Sequence, residues 1–272
     1  MVKNLLLFTQ GVIMHLILGL LLLCTSAASS NELRCKEISG ILKQIDASTG
    51  QVYGVNFGDD IYQWENNIWK QMPGKLIHVT VGPAGVWGVN RANAIFKWQD
   101  NGWVNVAGSL KQIDAGGDKF ISGANSLDWI YCLNQVDTLS KATVLPFVQL
   151  DGALKYFTCG PYGCWGVNSI NDIYYRHDVQ PSNCRGSRWQ QIEGSLVMVE
   201  AATDGSVYGV NAQGKVYKRD GISATNPIGT SWTQLQVNGN FRHVSYDQGN
   251  LWLLSQEGAI YKCDFSTPSI CF

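Results

Sequence analysis

The chain has 272 residues, with 20 Lys and Arg against 21 Asp and Glu, and only 15% charged side chains. So even a balance excludes the basic surface that phosphate backbones require, and no nucleic-acid partner is expected. Its 10 Trp, 11 Tyr and 9 Phe suit the faces of β-strands first and surfaces that stack on sugar rings second.

In chain order, residues 1–28 read as a signal peptide for secretion. Lys3 gives a weak positive start, residues 12–24 are apolar apart from His15, and Thr25-Ser26-Ala27-Ala28-Ser29 offers small residues for cleavage. An uncleaved anchor over residues 5–24 is the rival reading. No other long apolar run follows, so no membrane insertion is expected after cleavage.

The mature chain repeats itself six times. Gly-x-Leu/Phe opens each copy at Gly40, Gly74, Gly108, Gly152, Gly194 and Gly239, spaced 34, 34, 44, 42 and 45 residues apart. A second phrase follows: Val52-Tyr53-Gly54-Val55-Asn56 and then Ile61-Tyr62 in the first copy, Leu254-Ser255 and then Ile260-Tyr261 in a worn sixth. In the first copy strands are expected over 41–46, 51–56, 61–64 and 68–72, each short, β-branched or aromatic, and bounded by turn residues. Four such strands repeated six times predict an all-β fold, a six-bladed β-propeller over residues 35–265, with a tail over 266–272. A parallel β-helix is the alternative.

The fourth-strand column runs Trp69, Trp103, Phe147, Trp189, Trp232, and the sixth copy has no such strand. The missing piece stands at the other end, where Cys35-Lys36-Glu37-Ile38-Ser39-Gly40 matches residues 69–74. The N-terminal strand should therefore complete the last blade and close the ring, placing Cys35 beside Cys263. Insertions over 134–146, 177–188 and 221–231 belong on one rim. Cys132 and Cys184 flank two of them and are expected to pair, as are Cys159 and Cys164 across a small turn. Cys271 is left over and offers a route to a homo-oligomer.

Catalytic signatures are missing. His78, His177 and His243 have no metal-site spacing, and no nucleophile elbow or phosphate loop occurs; no enzyme is expected. Two columns deserve weight instead. Asn56, Asn90, Asn125, Asn168 and Asn211 either stabilise turns or present amides to sugar hydroxyls on one rim. Down the first strands run Asp46, Thr80, Asp114, Thr158, Glu200 and Ser245. If these line the channel, Asp46, Asp114 and Glu200 converge and could hold a cation, calcium by preference for oxygen ligands; the rival reading has them capping turns. No cofactor is required.

Gly108-Ser109-Leu110-Lys111-Gln112-Ile113-Asp114-Ala115-Gly116, Gly54-Val55-Asn56 with Ile61-Tyr62, and Cys159-Gly160-Pro161-Tyr162-Gly163-Cys164-Trp165-Gly166-Val167-Asn168 resemble the tectonin-repeat lectins, most of all the fish egg lectins. The resemblance spans about residues 35–265. It implies a secreted propeller that binds N-acetylglucosamine-type glycans, including microbial surface polysaccharide such as lipopolysaccharide, in egg or innate defence; it also allows calcium. One departure is that Gln236 and Ser255 stand where the family pattern carries a further disulfide. The two function classes in play are a multivalent lectin and a protein-interaction scaffold of an egg coat or matrix.

Overall fold

Tight turns fold each repeat back on itself. In the first repeat Thr49 and Gly50 (φ 54° and 77°) join one strand pair, and Asn66 and Asn67 (φ 51° and 63°) join another. Two consecutive left-handed residues make the hairpin turn whose twist matches the flanking strands. The strands so connected are Gln44–Ser48, Gln51–Val55, Asp60–Glu65 and Ile68–Lys75, a four-stranded antiparallel sheet in sequence order. Five such sheets follow one another along the chain, and a sixth combines both ends of the described chain. The computed structural model describes residues 33–118 and 120–265. The expected leader over 1–28, the tail over 266–272 and Cys271 lie outside the described residues. The architecture is a six-bladed propeller.

The sixth blade is closed from the N-terminus. Leu33–Ile41 pairs antiparallel with Ala259–Phe265, which continues inward to Asn250–Ser255 and Phe241–Asp247. Cys35 lies opposite Cys263, and a disulfide joins them. A second disulfide links Cys132 to Cys184, and a third links Cys159 to Cys164. The Cys132–Cys184 bridge ties the third strand of blade three, Trp129–Leu133, to the insertion of blade four, where the backbone N–H of Cys184 also donates to Asn134 Oδ1 at 2.9 Å. A single helical turn, Gln135–Thr138, sits in the blade-three insertion.

One strand starts later than the sequence suggests. The first strand of blade one begins at Gln44, not at 41. Gly40 takes a φ of 123°, Ile41 ends the outer strand of blade six, and Leu42 N–H donates to Gly258 O. Residues 41–43 are thus the crossover between blades, apolar because Leu42 is a plug. A Cβ on Gly54 would lie 2.5 Å from Leu42 Cδ1; the matching distances are 2.3 Å for Gly88 and Leu76, 2.3 Å for Gly166 and Leu154, and 2.4 Å for Gly209 and Leu196. The two repeating phrases therefore fit each other: the Leu of one seats on the Gly of the other, at a distance no real side chain allows.

The fourth-strand indoles work between blades. Trp103 Nε1 donates to Pro73 O, Trp189 Nε1 to Asp151 O and Trp232 Nε1 to Glu193 O, each at 2.9 Å. Each acceptor lies just before the opening Gly at the end of the preceding blade's outer strand. Burial of Leu, Ile and Val between neighbouring sheets supplies the rest of the core.

Candidate functional site: inter-blade clefts and central channel

The Asn column builds the turn between second and third strands. Asn56 Oδ1 accepts from the N–H groups of Gly58 and Asp60 at 2.9 and 2.8 Å. Asn90 does the same with Ala92 and Ala94, both at 3.0 Å. Asn125 takes Leu127 and Trp129, both at 2.9 Å. Asn168 and Asn211 repeat the pattern with Ile170 and Asp172, and with Gln213 and Lys215. Ser255 is not a lost copy, since its hydroxyl accepts from Ala259 N–H at 3.1 Å. The amide oxygens are therefore committed to backbone, and only the NH2 groups remain to meet a ligand. In Asn56 and Asn168 the NH2 is itself engaged, by Asp60 at 3.1 Å and Asp172 at 3.3 Å. Asp60 also takes a hydrogen bond from Lys75; with Asn56 this holds its carboxyl below the usual range. No such carboxylate follows Asn125, whose turn carries Trp129 in place of Asp60.

These turns stand beside clefts between adjacent blades. The cleft between blades two and three has a volume of about 430 Å³ and is lined in part by Ile95, Gly108, Leu110, Asn125, Tyr131 and Phe147. The cleft between blades six and one has about 280 Å³ and is lined in part by Ile260, Gly40, Leu42, Asn56, Tyr62 and Trp69. The two sets match position by position. The difference in size follows from one column: Trp69 Cδ1 comes within 3.4 Å of a Cβ built on Gly40, whereas a Cβ on Gly108 meets only Ile95, because Phe147 has no indole to lay across it.

In the channel, Asp46, Thr80, Asp114, Thr158, Glu200 and Ser245 are all buried on one tier. Most of them staple their blade to the next. Val81 N–H donates to Asp46 Oδ2 at 2.6 Å, Ala115 N–H to Thr80 at 2.9 Å, and Cys159 N–H to Asp114 at 2.9 Å. Ala201 N–H donates to Thr158 at 3.2 Å, and Ala47 N–H to Ser245 at 2.9 Å, which completes the circuit. The Ser245 hydroxyl in turn donates to Glu200 at 2.8 Å. Burial raises all three carboxyls: Asp46 upward, Glu200 well above its usual range with Asp46 and Asp114 adding to it, and Asp114 to about 8 with Asp46 adding to it. The three acids share a tier, in which Asp46 and Asp114 are bonded to neighbouring backbone and Glu200 to the Ser245 hydroxyl. Among the described residues no group of three His, Cys, Asp or Glu side chains is placed to hold a metal ion.

A second tier lies two positions earlier on the same strands. Gln44 exchanges two hydrogen bonds with the backbone of Val79 (2.8 and 3.0 Å), and Gln112 does so with Phe157 (2.9 and 3.1 Å). Between them His78, Tyr156 and His243, from blades two, four and six, face one another with ring centroids 5.9, 6.1 and 6.5 Å apart. Tyr156 OH meets His243 Nε2 at 3.3 Å. Burial drives both imidazoles down to about 3. Sequence spacing missed this tier because its members are far apart in the chain; the signal is their common place two residues before the acid column.

Six four-stranded sheets built from one repeating phrase define a tandem-repeat β-propeller. The tectonin domain matches residues 41–256, and the chain is 49% identical over 236 residues to the fish-egg lectin of Cyprinus carpio, covering 85% of this chain and 98% of that one. It belongs to the tectonin family. Solved structures agree on the fold: virginiamycin B lyase from Staphylococcus aureus superposes with a TM-score of 0.55 at 14% identity, covering 82% of this chain and 80% of that one. The WD40 repeats of RRP9 give 0.56 at 7% identity, covering 85% and 97%. Propellers of such different names show that the architecture alone does not decide function.

Proposed function

We propose that the protein is a secreted lectin that binds N-acetylglucosamine-type glycans in its inter-blade clefts. The observation that carries this reading is the recurrence of one cleft design, Asn beside Tyr beside a fourth-strand aromatic, between blades two and three and between blades six and one. In the larger cleft the faces of Tyr131 and Phe147 suit a pyranose ring. The NH2 of Asn125 suits a hydroxyl or an acetamide oxygen, and Ile95 and Leu110 suit the acetamide methyl. Each site is shallow, and several on one ring gain by avidity on a repetitive surface such as microbial polysaccharide. That use fits egg or innate defence, and the apolar leader fits export. Binding, not chemistry, is the activity. Retention on immobilised N-acetylglucosamine with elution by the free sugar tests it, and Tyr131→Ala should weaken retention. A folded wild-type protein that flows through the resin would favour the protein-scaffold reading instead.

A further inference from the structure

We propose that the His78, Tyr156 and His243 tier of the channel binds one divalent transition-metal ion of the zinc type, ligated by the two imidazoles, with the Tyr156 hydroxyl orienting His243 through its Nε2. Neither ring nitrogen of His78 has a hydrogen-bond partner, nor does Nδ1 of His243, although both side chains are more than nine-tenths buried (9% and 7% exposed). A buried polar atom without a partner costs about 1–3 kcal/mol, so three of them around one axis call for an occupant. The other polar groups of the tier cannot serve, because Gln44 and Gln112 are already bonded to backbone on both amide atoms.

The donors select the ion. Imidazole nitrogens suit zinc, copper or nickel, whereas calcium and magnesium require oxygen shells. Metal ligation needs the neutral ring, and burial keeps both rings neutral far below pH 7. The surrounding charges are mixed. Lys43 acts on His78 and Arg242 on His243, but Lys43 is ion-paired with Asp59, and Arg242 sits 5.3 Å over the Phe57 ring. On the other side Glu200, Asp46 and Asp114 act on Tyr156. These carboxyls stand one tier from the imidazoles, where negative charge favours a dication. The His tier is thus a site distinct from the acid ring, and the two are electrically linked.

The test uses the whole mature protein, freed of metal with chelator. Calorimetric titration with zinc chloride should give one ion per chain, and cobalt should give visible d–d bands. His78→Gln and His243→Gln should each weaken zinc by at least ~10-fold, while His177→Gln, outside the channel, should leave it unchanged. Tyr156→Phe keeps the packing and should shift the cobalt spectrum, which keeps the proposal open to test even if a His variant fails to fold. Wild-type protein that takes up no zinc, equal uptake by a folded His78→Gln/His243→Gln variant, or displacement of zinc by equimolar calcium would each overturn it. Retention on the sugar resin is read separately and has no bearing on the result.

Discussion

Asn125 carries two roles that one substitution separates. Its oxygen holds the turn through Leu127 and Trp129, and its NH2 points the other donor at the cleft. Asn125→Asp keeps an oxygen for the turn and removes the donor. Sugar retention should fall while the melting temperature stays within about 2 °C of wild type; unchanged retention on a folded variant would assign the whole column to turn chemistry. Asn125→Ala loses both roles, leaves two backbone N–H groups without their acceptor, and should cost about 1–3 kcal/mol in denaturant unfolding. Phe147 gives a complementary handle. Phe147→Trp restores the indole that lies across the equivalent glycine in other blades. It should narrow the cleft between blades two and three toward the size of the cleft beside Trp69, changing the affinity of that cleft for sugar in equilibrium dialysis without loss of stability.

At the scale of the element, the closing strand is held twice, by the ladder from Leu33 to Ile41 and by the Cys35–Cys263 disulfide. The bridge spans 228 residues, and a loop that long places its stabilisation at about 2–5 kcal/mol. Replacing both cysteines with Ser should lower the unfolding free energy by that amount and leave the propeller closed, since the backbone pairing stays. Deleting the strand should do worse, because it bares the edge of Ala259–Phe265; light scattering should show association. Much of this level was legible beforehand. The closing strand was visible because residues 35–40 copy residues 69–74, and the four strands of a blade because their turns are punctuated by Gly, Asn and Asp. The first strand was misplaced by three residues because the crossover at 41–43 is as apolar as a strand. The inter-blade staples were not legible at all: Asp46 meeting Val81 N–H depends on how one sheet is set against the next, and no local pattern encodes that angle.

For the whole molecule, the channel sets the pH dependence of stability. His78 and His243 sit near 3 in the fold against an ordinary 6.5. As pH falls below about 6.5 the unfolded chain takes up protons that the fold refuses, and stability declines toward pH 3. Asp114 runs the other way, near 8 against an ordinary 3.8. The fold keeps a proton that the unfolded chain has already released, so stability also declines as pH rises from about 4 to 8. Melting temperature in chelator should therefore pass through a maximum and fall on both sides. Asp114→Asn should flatten the alkaline limb and raise the melting temperature at pH 8, and His78→Gln should flatten the acid limb. A profile unchanged by either substitution would show that the channel groups do not titrate with folding. Neither the His78–Tyr156–His243 tier nor the size difference between clefts was readable from the repeats, since each repeat seen alone contributes one residue to a tier and half of a cleft.

The closing strand also bears on how the protein is made. Translation delivers residues at roughly 5–20 per second, and 228 residues separate the two halves of the last blade. The first strand to leave the ribosome therefore waits roughly 10–45 s for its partner, and five blades can assemble before it is used. Until then Leu33–Ile41 is an orphan edge and Cys35 an unclaimed thiol. The ring is sealed only once Ala259–Phe265 has been made, so a chain truncated before residue 259 has no partner for its closing strand.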